Sequence, residues 1–186
     1  MDNVCKSVRF ESRPLIEFPV IQRYIILADD PPEGVPVRSV IANPGSYAYF
    51  SPDRLIQPPD NCTTYNDWKY GFNNYTLTYH ADLFSTDASC DDMRIRYLTR
   101  PLHYLLGTAD LSADDQSCGA KVQGAGHLER GILFWKYITE AYPGPWIDTI
   151  QRLDFVPGVP HDKGLMWKSK EGQAALFPKE TTNYIF

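Results

Sequence analysis

Leu102-His103-Tyr104-Leu105-Leu106-Gly107-Thr108-Ala109-Asp110 is one of two stretches that decide the fold. The other is Thr149-Ile150-Gln151-Arg152-Leu153-Asp154-Phe155-Val156, continued by Pro157-Gly158-Val159-Pro160-His161-Asp162. Each begins as a short, mainly apolar run and ends in glycine or proline followed by polar residues, the pattern of a strand and the turn after it. Between them, Cys118 to Tyr142 contains helical spacing, clearest from Leu128 through Ile132, Leu133, Trp135 and Ile138, and Pro143-Gly144-Pro145 stops it. Upstream, Val37-Arg38-Ser39-Val40-Ile41-Ala42, bounded by Pro36 and Asn43-Pro44-Gly45, predicts a further buried strand. Downstream, Gly164 to Leu176 predicts a last helix, with Ser169-Lys170-Glu171-Gly172 as an interruption. Strands alternating with helices at this spacing give parallel βα units, hence an α/β class. Ile16 to Leu27 adds a helix-like apolar face broken by Pro19, and residues 46 to 90 read as loops and short helices.

The 186 residues suffice for one domain, and 43% hydrophobic with 22% charged residues is ordinary globular usage. A formal net charge of −5 argues against nucleic acid as a partner, because phosphate binding needs a concentrated basic face. No apolar run approaches the roughly 18 residues of a membrane-spanning helix, so no membrane contact is expected. Fifteen prolines and twelve tyrosines point to a loop-rich chain with rings free to pack or to line a pocket for a small molecule. Trp68, Tyr70, Phe72 and Tyr75 are the candidates for such a pocket, against the alternative of packing within the loops. No phosphate loop, dinucleotide fingerprint or metal-ligand spacing occurs, so neither cofactor nor metal is expected.

The first residues, Met1-Asp2-Asn3-Val4-Cys5-Lys6-Ser7-Val8-Arg9, lack an apolar signal region and predict a cytoplasmic protein with reduced thiols. Secretion is the alternative. Asn61-Cys62-Thr63 and Asn74-Tyr75-Thr76 are glycosylation sequons, and the four cysteines, Cys5, Cys62, Cys90 and Cys118, are an even number that could pair.

In a parallel sheet, functional groups gather beyond the carboxyl ends of the strands. Those ends carry Asn43 and Ser46, Asp110, and His161. A carboxylate can hold an imidazole in one tautomer so that its other nitrogen serves as general base, which makes Asp110 and His161 the pair of interest. The alternative is a histidine capping a turn and an aspartate in a helix-entry loop. His103, inside a strand, and His127, at a helix start, are expected to be structural. Glu129 and Arg130 predict a weak local ion pair on a solvated helix face.

Further stretches lie beside these. They are Val37 through Phe50 (Val-Arg-Ser-Val-Ile-Ala-Asn-Pro-Gly-Ser-Tyr-Ala-Tyr-Phe), Asn66-Asp67-Trp68-Lys69-Tyr70-Gly71, Cys118-Gly119-Ala120, Gln123-Gly124 and Leu128-Glu129-Arg130-Gly131. Together with Tyr104 to Asp110 and Val156 to Asp162, they resemble segments of a group of fungal and plant α/β-hydrolase-like proteins, in order and spacing, over about residues 18 to 177. The resemblance implies a truncated α/β-hydrolase fold: the C-terminal half, with about three parallel strands and flanking helices. Residues 18–186 would form that half, 46–100 a loop-rich, cap-like excursion from it, and 1–17 an N-terminal segment of unassigned structure. It also implies that Asp110 is the acid and His161 the base of a triad, and that Cys62 pairs with Cys118.

The departure from the family is the nucleophile. A Gly-x-Ser-x-Gly elbow precedes the helix that Phe18 to Leu27 resembles, but here that position reads Glu11-Ser12-Arg13-Pro14-Leu15-Ile16-Glu17. Ser46 is the serine that the strand ends place nearest His161, and so the candidate replacement; Asn43, Trp68 and Tyr70 are the candidate substrate contacts. The expectation is a hydrolase-derived protein acting, where active, on an ester-like or acyl bond of a small apolar molecule, in the setting of fungal secondary metabolism. The alternative is an inactive binding or assembly subunit, or a remnant of a longer hydrolase. With upstream strands missing, Val37 to Ala42 would present an open sheet edge, to be covered by a second copy or a partner chain.

Overall fold

In the computed structural model, residues 22, 25–26, 30, 32–35, 37–74 and 90–178 are described. Three strands, β1 (Ser39–Ala42), β2 (Leu102–Gly107) and β3 (Gln151–Val156), form a parallel sheet in the order β1-β2-β3. The helices are α1 (Cys90–Thr99), α2 (Cys118–Lys121), α3 (His127–Ala141), α4 (Lys163–Lys168) and α5 (Lys170–Leu176). The α/β class read from the alternation of strand and helix is the class observed. Of the helix expected over Ile16 to Leu27, Gln22, Ile25 and Ile26 are helical; its other residues, residues 1–17 and Tyr75 lie outside the described residues.

The central strand β2 is buried along its whole length, as a strand covered on both faces must be. Its alternation divides two layers of core. Leu102 and Tyr104 face one layer with Ile41, Phe134, Tyr137 and Ile138, whereas Leu105 faces the other with Val156, Val159, Met166 and Ala175. The first layer is built from rings: Tyr47 stacks on Phe134 at 4.5 Å between centroids, and Tyr49 and Tyr97 meet Phe134 edge-on. On the second face, Ser169 N–H donates to the Leu165 and Met166 carbonyls and closes α4, and its hydroxyl accepts from Gly172 N–H to open α5. One residue thus makes the interruption that the sequence predicts.

Helix α3 turns a different face inward from the one its aliphatic residues suggest. His127, Arg130, Gly131, Phe134, Tyr137 and Ile138 are buried at helical spacing, while Ile132 is exposed. The aromatic side chains, larger than the aliphatic ones, set the orientation. Gly131 permits it, because a Cβ there would stand 2.6 Å from Leu106.

Between Ser46 and Asn74 the chain forms turns and bends, with an isolated bridge between Asp67 and Asn73. A disulfide joins Cys62 of this excursion to Cys118 at the start of α2. Two buried glutamines pin its first residues. Gln123 exchanges two bonds with the Tyr47 backbone (2.9 and 2.7 Å), and Gln22 exchanges two with Ala48 (3.0 Å each).

Candidate functional site

The turns after β2 and β3 are stitched to each other before either contributes a functional group. Ala109 N–H donates to Val159 O (3.1 Å), and Gly158 N–H donates to the Thr108 hydroxyl (2.8 Å). Asn43 adds the third strand end: its Oδ1 accepts from Gly107 N–H at 2.7 Å and its Nδ2 donates to Pro160 O at 3.0 Å. Gly107 allows the turns to approach this closely, since a Cβ there would lie 2.2 Å from the Val159 carbonyl oxygen. Gly107→Ala is therefore expected to lower stability by roughly 1–3 kcal/mol through overpacking against backbone. A urea melt measures it.

This stitching brings Asp110 and His161 together. Asp110 is fully buried, and its Oδ2 stands 2.9 Å from Nδ1 of His161, whose side chain is 42% exposed. His161 Nε2 makes no hydrogen bond among the described residues, so it is free to face a reactant. A third group joins them. Nδ1 of His127 lies 3.2 Å from Asp110 Oδ1 and 3.1 Å from His161 Nδ1, and the two imidazole rings are 4.6 Å apart. His127 is placed there by the start of α3, where its own N–H donates to Ser112 O and Leu128 N–H donates to Asp110 O. Burial pushes the His127 imidazole below its ordinary pKa, against the opposing pull of Asp110.

His127, read from the sequence as structural, lies in the same cluster: it shares the aspartate with His161. Spacing could not show this, because the contact depends on how α3 enters over the loop after β2. His103 is different. Its Nε2 meets Asp154 Oδ2 at 2.8 Å, a side-chain tie between adjacent strands that starts near the amino end of β2, away from the carboxyl end where the site lies.

A cleft of about 620 Å³ opens beside the histidines, lined among others by Gly45, Ser46, Lys69, Tyr70 and Asp115. Ser46 enters it, as its position after β1 suggests, but its hydroxyl makes no hydrogen bond to His161. The Tyr70 hydroxyl donates to Asp115 and lies 2.7 Å from Ser117 Oγ, and Lys69 Nζ stands 3.0 Å from Asp115. Burial alone would raise the Asp115 carboxyl, but the hydrogen bonds from Tyr70, Ser117 and Lys69 hold it well below the usual carboxylate range. The lining side chains are mostly polar in type, while the surface they expose is about evenly polar and apolar. Of the described rings named as pocket candidates, Tyr70 lines this cleft; Trp68 and Phe72 pack with the core, 5.9 Å apart. Asn43 lies buried with its amide committed to backbone rather than turned toward a ligand.

Arg130 was the least visible contributor. It is fully buried, and it donates from Nε to Gly124 O (3.1 Å), from one terminal nitrogen to Gly45 O (2.8 Å) and from the other to Asp115 O (2.9 Å). The expected Glu129–Arg130 pair is not formed: Glu129 instead accepts from Ala125 N–H at 2.6 Å, satisfying a free amide at the helix start. One guanidinium therefore fixes three loops, two of which line the cleft. The sequon residues Asn61 and Asn74 are both exposed.

With this geometry defined, two solved structures are similar in fold. A poly(aspartic acid) hydrolase-1 from Sphingomonas sp. KT-1 is 22% identical and matches with a TM-score of 0.47, over 76% of this chain and 45% of its own. LpqC, a poly(3-hydroxybutyrate) depolymerase from Bordetella parapertussis, is 18% identical with a TM-score of 0.49, over 76% of this chain and 41% of its own. The chain spans less than half the length of either. No protein-family model and no curated protein matches it.

Proposed function

We propose that this chain carries the acid–base part of an ester- or acyl-hydrolysing site, with His161 as general base and Asp110 as its orienting acid. The observation that carries the reading is the 2.9 Å contact between a fully buried aspartate and an exposed histidine, each one turn beyond a neighbouring parallel strand. Holding Nδ1 against the carboxylate fixes the tautomer that leaves Nε2 able to take a proton from a nucleophile in the cleft. The lining offers polar side chains and about as much apolar surface, which suits a small substrate carrying both polar and apolar groups. Ser46, in the same cleft, is the nucleophile this reading tests. The test is fluorophosphonate labelling and p-nitrophenyl ester hydrolysis with the full chain. We expect one adduct, at Ser46, and a fall in turnover of roughly 10²–10⁴-fold in His161→Ala. A folded protein that neither labels nor turns over removes serine hydrolysis.

That second outcome would favour a binding or assembly subunit, a reading supported by two observations. Ser46 and His161 are not hydrogen-bonded, and β1 sits at the sheet edge with no strand beyond it among the described residues. A second copy or partner chain covering β1 would appear as a mass that rises with concentration. For compartment, the Cys62–Cys118 bond and the exposed sequon asparagines support secretion over the cytoplasmic expectation. No helix among the described residues is long and apolar enough to cross a membrane.

A further inference from the structure

Three polar side chains meet beside the cleft with more contacts than ring protons can serve. His127 Nδ1 faces His161 Nδ1 at 3.1 Å, His127 Nδ1 faces Asp110 Oδ1 at 3.2 Å, and His161 Nδ1 faces Asp110 Oδ2 at 2.9 Å. Each ring nitrogen offers either one proton or one lone pair. Against an ionised carboxylate, both nitrogens need a proton. Two N–H groups then point at each other across 3.1 Å. If one proton is removed, the bare nitrogen turns its lone pair on a carboxylate oxygen. No arrangement of ring protons satisfies all three contacts, and Asp110 is fully buried.

A cation that takes a lone pair from each residue removes the conflict. The spacing suits it: two nitrogens bound at 2.0–2.1 Å by a tetrahedral zinc stand about 3.3 Å apart, close to the separation observed. Ligand atoms of Asp110, His127 and His161 all lie within 4.8 Å of one another. We propose that Asp110, His127 and His161 form a binding site for a borderline divalent transition metal, zinc above all, held by two imidazoles and one carboxylate with its fourth position toward the cleft. Two nitrogen donors disfavour calcium and magnesium, which prefer all-oxygen cages. This site was not expected from the sequence, where Asp110, His127 and His161 are separated by 16 to 33 intervening residues and show no ligand motif. The inference rests on the geometry and uses the same atoms as the hydrolase reading: a metal on His161 Nδ1 would replace the Nδ1–H bond to Asp110 that the general-base role needs, so the two describe different states of one site.

The test is calorimetric titration of zinc chloride into the full chain after chelator treatment and dialysis, with native mass spectrometry to count bound ions. The expected result is one zinc per chain, with affinity falling at least tenfold in His127→Ala and in His161→Ala. The second variant alters an exposed loop residue and guards against a folding defect in the first; circular dichroism confirms both are folded. Cobalt(II) should give the intense visible absorption of a tetrahedral site in the parent and not in the variants. No binding, or binding unchanged in either folded variant, overturns the proposal. Ester hydrolysis by the zinc-free protein tests the hydrolase reading separately.

Discussion

Arg130→Ala is expected to lower the stability of the chain by roughly 3–5 kcal/mol, a large share of the total for a domain of this size. The substitution removes a fully buried side chain and leaves the carbonyls of Gly45, Gly124 and Asp115 without their donor. Each buried acceptor so abandoned costs about 1–3 kcal/mol, and the cavity adds to it. Arg130→Lys should recover little, because one ammonium on a flexible stem cannot reproduce a planar fork aimed at three loops. Arg130→Met restores most of the volume but none of the donors, so the gap between the methionine and alanine variants isolates the packing contribution. Urea denaturation of the three variants measures all of this. Near-equal stability of parent and Met variant would show that the guanidinium bonds contribute little beyond shape.

Replacing both Cys62 and Cys118 by serine is the second large effect, expected to cost roughly 2–4 kcal/mol. The bond closes a loop of sequence separation 56, and constraint of the unfolded chain grows with the logarithm of that length. It also anchors the excursion that brings Lys69 and Tyr70 to the cleft, beside the bonds from Tyr70 to Asp115 and Ser117. Thermal melts of parent and double variant, under the same non-reducing conditions, provide the measurement. An unchanged midpoint would mean that the bond does not form in the folded protein.

The parts of this molecule legible in the sequence are those governed by local pattern. β2 and β3 announce themselves by apolar runs ending in turns, and Ser169 marks the break between α4 and α5 because serine caps helices at both sides of a junction. Asp110 and His161 follow from one rule, that parallel strands deliver their loops to a common end. What escaped notice depends on tertiary placement. Arg130 has no charged partner to reveal it; its partners are backbone oxygens 6, 15 and 85 residues away. His127 looks like any residue at a helix start until α3 is docked over the loop after β2. The spacing gives the helix but not its inward face, because aliphatic and aromatic residues compete for the interior, and here the Phe134 and Tyr137 rings pack inward while Ile132 is left outside. Trp68 shows the same competition: a ring in a loop can line a pocket or pack, and this one packs against the core.

The parallel pairing of β2 with β3, from Leu102 opposite Gln151 to Gly107 opposite Val156, also governs where this chain can change length. Each residue added to or lost from one strand alone would advance its turn by about 3.3 Å past the other, more than the whole contact between Asp110 and His161. Such a change would also turn every side chain beyond it to the opposite face of the sheet. The segment from Leu102 to His161 is thus a measured frame between its two strands, intolerant of insertion or deletion at either. The connection around Pro143 to Thr149 lies at the opposite end of the sheet and carries none of the site residues, so divergence in length is accommodated there.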